Sequence, residues 1–177
     1  MLKPRGFLPI ATALVGAGVI ALGSQVRAGG DKVVFPEGFE KGVLYTTVDR
    51  PDNKQYREIY TSPAAVAAAK KGEPMPDGTV ITLIQYKAKL GADGNPEKDA
   101  NGRFIKTDVI GYTVMEKRKG WGAEYDDKIR NGEWEYQAFT AAKAVNANAK
   151  LTACFECHKP LPGAQDFVFS YGKMAGK

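Results

Sequence analysis

Cys154, Cys157 and His158 are the residues whose types and spacing can do chemistry in this chain. They include both cysteines and the only histidine among 177 residues. On a helical turn, thiols at i and i+3 share a face, and an imidazole at i+4 falls beside them. That geometry can add two thiols across the vinyl groups of one haem and set a histidine under its iron. Cys-x-x-Cys-His is accordingly read as covalent c-type haem attachment, with His158 as the axial iron ligand. The competing reading is a dithiol/disulfide pair with an incidental histidine. Such a pair belongs in a thioredoxin-like βαβ setting, and no such pattern surrounds it here.

Because His158 is the only histidine, the far face of the iron has only methionine or lysine as a strong protein ligand. Met75 sits in a proline turn, Met115 in a strand-like stretch and Met174 in a tail that reads as frayed. An open or water-bound iron is therefore expected. An open iron binds small ligands or performs chemistry, and distal polarity and access choose which.

The elements that must position these residues are mostly strands. Lys41 to Arg50 and Gln55 to Thr61 are strand-like and flank a Pro51-Asp52-Asn53-Lys54 turn, which predicts a hairpin. Ser62 to Gly72 is the clearest helix, with a serine cap, proline in the first turn, an alanine interior, late lysines and a closing glycine. Thr79 to Leu90, Phe104 to Lys117 and Glu133 to Thr140 are further strands. The alternation in the last of these sends Glu133 and Glu135 to solvent. Gly91 to Arg103 is a polar loop that lacks the calcium-binding series and its closing glutamate. A helical turn is expected at the cysteine motif, stopped by Pro160 and Pro162. Asp166 to Tyr171 reads either as a last strand or as an aromatic segment packed on the haem. The predicted fold class is α+β, mainly antiparallel β-sheet with a few helices and the haem packed against the sheet.

At the N-terminus, Lys3 and Arg5 precede an apolar run from Phe7 to Leu22, followed by Val26-Arg27-Ala28. This reads as a secretory signal peptide over residues 1–28, with residues 29–177 as a single haem domain. An uncleaved anchor is the competing reading, but the run is short for a span and contains Gly16 and Gly18. Export to the periplasm fits c-type attachment, which takes place outside the cytoplasm. After cleavage no membrane segment is expected. The formal charge is +5, but Lys3, Arg5 and Arg27 leave with the signal and no acid does. The small remaining excess, without a basic stripe, argues against a nucleic-acid partner.

The motif's late position resembles that of the cytochromes c′, but those are four-helix bundles and this body reads as strands. The chain better resembles the sheet-rich family of cytochrome P-460 and the β-type cytochromes c′. The matching residues are Arg57-x-x-Tyr60 with Pro63, Asp77-Gly78-Thr79-Val80, Gly111, Trp134, Cys154-x-x-Cys157-His158 and Asp166-x-Val168-Phe169. The resemblance implies a periplasmic, homodimeric monohaem protein with five-coordinate iron.

That family contains two chemistries. One carries a lysine bonded to the haem ring and oxidises hydroxylamine. The other lacks the bond, has an apolar distal pocket often capped by phenylalanine, and binds nitric oxide or carbon monoxide. The resemblance places Leu83 where the first group has lysine, which implies gas binding. Alternation puts Gln85 and Lys87 on the same face as Leu83, so a bulge or shifted register would make Lys87 the modified residue. Otherwise Lys87 and Lys89 are solvated strand-end charges. Arg57 matches a family arginine near the pocket and could pair with a propionate or bound ligand, or be a surface strand residue. Phe39, Phe104 and Phe139 are candidates for a distal cap, or plain core. The expected function is gas binding, with hydroxylamine oxidation or simple electron transfer to a partner cytochrome as alternatives.

Overall fold

The computed structural model describes Met1 and residues 32–177. Apart from Met1, the expected signal peptide lies outside the described residues. Five strands form one antiparallel sheet in sequence order: β1 (Val43–Arg50), β2 (Gln55–Thr61), β3 (Val80–Ala88), β4 (Lys106–Lys117) and β5 (Trp134–Thr140). Three short helices accompany them: α1 (Pro63–Lys71), α2 (Thr152–His158) and α3 (Tyr171–Met174). This is the α+β architecture expected from the strand-rich pattern. No helix among the described residues is long and apolar enough to cross a membrane.

Local chemistry explains the first half of the meander. Pro51–Asn53 makes a 3-10 turn, and Lys54 takes the left-handed conformation that returns the chain into β2. Ser62 Oγ accepts the Ala65 N–H at 3.2 Å, which caps α1 and is worth about 1 kcal/mol. Pro63 opens the helix and Gly72, at φ +77°, closes it. Its small residues Ala65 and Ala69 bury against the sheet, so the helix can approach closely. In the Gly91–Arg103 loop, Asp93 and Asp99 accept N–H groups of Asn95, Asn101 and Arg103, so these carboxylates close their own turns.

Both faces of the sheet are covered. On one face, Ile59, Ile81, Met115 and Tyr136 pack with α1, Phe155, Val168 and Met174. On the other, Ile84, Tyr112, Val114 and Phe139 are covered by the N-terminal arm through Val33, Phe35 and Phe39. Phe35 meets Tyr112 and Phe139 edge-on, with centroids 5.0 and 5.3 Å apart. At Gly111 a Cβ would stand 2.6 Å from the Phe139 carbonyl oxygen of β5, so the close β4–β5 approach requires glycine there.

Two expectations change and one of two alternatives is removed. Glu135 is fully buried rather than solvent-facing: Tyr125 donates its hydroxyl to Oε2 at 2.8 Å, and Lys32 Nζ lies 3.7 Å from Oε1. The alternation in β5 was sound, but the arm and the loop after β4 cover the face that alternation alone assigns to water. Met174 is 2 % exposed in the core, where a frayed tail was expected. Residues 166–171 are not a strand: Asp166 and Phe167 both have positive φ, at +46° and +59°.

Candidate functional site

A cavity of about 1100 Å³ opens between the first sheet face, α2 and the segment leading into α3. It exceeds the roughly 300–1,000 Å³ of common small-molecule sites. Cys154, Cys157 and His158 all line it. They do so because α2 is anchored from its opposite side. Phe155 is completely buried and packs on Tyr136 and Tyr125, with centroids 4.7 and 5.0 Å away. Asn131 Nδ2 donates to the Phe155 carbonyl at 3.1 Å and to the Tyr136 hydroxyl at 2.9 Å. Lys159 Nζ, just beyond the helix, donates to the Arg130 carbonyl at 2.7 Å.

Cys154 and Cys157 form no disulfide with each other. Burial, and then the neighbouring Cys157, push the Cys154 thiol above its ordinary value. The His158 ring is held between Tyr136, at 5.0 Å, and Phe169, at 4.9 Å and edge-on. Its Nδ1 lies 2.6 Å from the Phe167 carbonyl oxygen. A carbonyl only accepts, so the N–H is on Nδ1 and Nε2 carries the free lone pair. Burial lowers the His158 pKa, which favours the neutral form a metal needs; the Phe167 hydrogen bond opposes that shift. The donor set therefore fits a c-type haem: two thiols and an imidazole with its coordinating nitrogen bare, on one wall of a large cavity.

The Phe167 carbonyl is presented by a strained turn. Two successive non-glycine residues with positive φ cost on the order of 1–3 kcal/mol each. The Asp166 carboxylate offsets this. Its Oδ2 accepts the Met75 N–H at 2.9 Å and Lys117 Nζ at 2.8 Å, while Lys117 also donates to the Met75 carbonyl at 3.1 Å. Gly132 leaves room for the Phe167 ring, which would stand 3.3 Å from a Cβ there. Tyr45 donates to, or accepts from, Ser170 Oγ at 2.6 Å and ties β1 to the residue after Phe169.

The sheet wall is mainly apolar. Leu83 lines the cavity, paired across the ladder with Ile59 and Thr113. Gln85 and Arg57, themselves paired, form the next row. Met115 also lines the cavity, but it is the direct cross-strand partner of Tyr136, which touches the histidine ring. Met75 and Met174 are buried in the core and are not part of the lining.

Arg57 is half-buried, and its Nε and Nη2 share the Gln55 Oε1 at 3.2 and 3.0 Å. Burial, then the nearby Arg50 charge, lower its pKa. Among the described residues it forms no ion pair within 4.0 Å. Arg50 and Arg103 line the same end of the cavity but are engaged by Asp52 and Asp49.

The structure separates the other residues singled out by sequence. Lys87 lies two residues beyond Gln85 in a regular β2–β3 ladder, past the cavity lining, where it is exposed and 3.6 Å from Asp108. The extra residues of the β3–β4 irregularities are on β4. Phe39 and Phe139 pack on the opposite sheet face, and Phe104 is buried at the β3–β4 hairpin with its N–H on Asp49. The aromatic side chains that do line the cavity are Tyr136 and Phe169. Phe169 was legible as part of an aromatic segment, whereas Tyr136 was indistinguishable from core. Asn131 and the Asp166–Lys117 pair carried no local signal, since their partners are distant in sequence.

The family model described as Cytochrome P460 matches residues 36–170. The chain belongs to the cytochrome P-460 family. Membership makes it a c-type cytochrome and implies a haem c cofactor. The match takes in all five strands, α1, α2 and the Asp166–Phe169 turn, and stops before α3. A search of curated proteins finds none that matches.

Proposed function

We propose that this cytochrome P-460 family member is an exported, periplasmic monohaem protein that binds a neutral diatomic gas such as nitric oxide. In this reading Cys154 and Cys157 hold one haem through thioether bonds, and His158 Nε2 is the only protein ligand to its iron. When bound, the haem supplies an iron with one open coordination position, whose occupant the surrounding side chains select. Arg57, a half-buried cavity cation without a carboxylate partner, faces a haem propionate or other anionic group, and the exposed Lys173 is a second cation in the lining.

The observation that carries the reading is the wall around Leu83. Leu83, Ile59 and Ile81 exclude water and offer no proton donor or acceptor. Hydroxylamine or peroxide turnover needs a group that moves protons. The carboxylate lining the cavity, Asp49, is held by Arg103 at 2.9 Å and by the Phe104 N–H at 3.2 Å. Electron transfer to a partner cytochrome would call for a sixth ligand. Met115 lies on the histidine's side of the wall, and Met75 and Met174 lie outside the cavity lining. The lysine in that lining, Lys173, is on α3, just after the Phe169 that packs on the histidine ring.

Carbon monoxide titration of the ferrous protein, followed by absorption, tests gas binding: saturable binding is expected, and no spectral change would refute it. Intact mass tests attachment and ring chemistry together. The expected mass is mature chain plus one unmodified haem, whereas a lysine–haem bond would favour hydroxylamine oxidation. The proposal includes a homodimer, which sedimentation in solution would detect.

A further inference from the structure

We propose that Asp166, clamped by Lys117, is the positioning residue that sets the strength of the axial histidine as an iron ligand. The inference rests on the reading above in which His158 Nε2 meets the iron. Three facts carry it. The carbonyl that accepts the His158 Nδ1–H belongs to Phe167, the residue directly after Asp166. Both residues are held at positive φ without being glycine. The carboxylate that holds the turn is buried and anchored at two remote points, the Met75 N–H and Lys117 Nζ, with side chains of Lys117 and Asp166 only 13 % and 12 % exposed.

A hydrogen bond from Nδ1–H to an acceptor raises the basicity of the other ring nitrogen and fixes the ring's rotation. Here that acceptor has no freedom of its own. Val168, on the other side of the carbonyl, is buried in the core, and Gly132 seats the Phe167 ring. The sheet end at Lys117 is thus coupled through Asp166 and one peptide unit to the imidazole. Tight coupling gives a more electron-rich imidazole, which favours ferric over ferrous iron. Loosening the clamp should do the reverse.

The experiment uses haem-loaded protein with Asp166→Asn, which keeps the shape but removes the charge that Lys117 grips, and Asp166→Gly, which relieves the positive φ but removes the clamp entirely. The midpoint potential is measured together with the iron–histidine stretching band of the ferrous form by resonance Raman. Both variants are expected to raise the potential and lower the stretching frequency. For Asp166→Gly, a change of about tenfold in the ferric-to-ferrous ratio at fixed poise is expected, about 59 mV for a one-electron couple. Lys117→Gln should move both readouts the same way and keeps the test open if an Asp166 variant fails to fold. Lower thermal stability with unchanged potential and band would overturn the inference, leaving the clamp a purely structural element. A wild-type ferrous protein with no iron–histidine band would instead overturn the reading on which it rests.

Discussion

His158 Nδ1 and the Phe167 carbonyl oxygen lie 2.6 Å apart, so the histidine's free nitrogen is fixed before any haem is considered. That contact links the sequence motif to a segment nine residues later whose conformation is settled by the sheet. It also explains why the cysteine motif, though readable by itself, does not define the site.

Phe155 is the reverse side of the motif helix. Phe155→Ala should destabilise the protein by about 3–5 kcal/mol, the usual cost of deleting a fully buried phenylalanine. Because α2 carries both cysteines, the yield of covalently loaded protein should fall with it. Urea unfolding and the haem content of purified protein check the two effects.

Arg57→Gln should lower the reduction potential of the loaded protein. A half-buried positive charge beside the cavity favours the less positive ferrous form, and its removal favours ferric iron. Arg50→Gln should have a smaller effect, because Arg50 is already bridged to Asp52 at 2.6 Å. Potentiometric titration of both variants makes the comparison.

Tyr45 gives a pH signature. Burial pushes its hydroxyl up to about 12, against the opposing Ser170 hydrogen bond. The folded protein thus holds the proton more tightly than the unfolded chain. The unfolded chain begins to release it near pH 10, so stability is lost as pH rises from about 10 towards 12, by up to about 2–3 kcal/mol. Tyr45→Phe should be less stable at neutral pH by about 1 kcal/mol for the lost hydrogen bond. That deficit should shrink above pH 10. Thermal unfolding of both proteins between pH 7 and 11 tests the sign.

Gly111→Ala should destabilise the β4–β5 pair by about 1–3 kcal/mol, since the new methyl meets backbone rather than a movable side chain. Chemical denaturation measures it. Gly94→Ala, where a Cβ meets nothing within 4 Å, is a steric control that carries only the backbone cost of its positive φ.

The strands, α1 and the helical turn at the motif were legible because their signals are local. Proline and Asx residues mark the first hairpin, and Ser62, Pro63 and Gly72 mark the ends of α1. The burial of Glu135 was not legible, because period-two alternation identifies opposite faces without saying which is wet. Nor was the turn at Asp166 and Phe167. Its conformation depends on Met75, 91 residues away, and Lys117, 49 residues away. At the candidate site, sequence supplied Cys154, Cys157, His158, Arg57 and Leu83, all of which line one cavity. It also supplied Lys87, which stands at the exposed end of β3, outside the cavity lining.

The central claim is an open iron in an apolar pocket, and the absorption spectrum of the ferrous protein with and without nitric oxide tests it most directly. The expected result is a five-coordinate, high-spin c-type spectrum that shifts on adding the gas. A six-coordinate low-spin spectrum that nitric oxide leaves unchanged would contradict it.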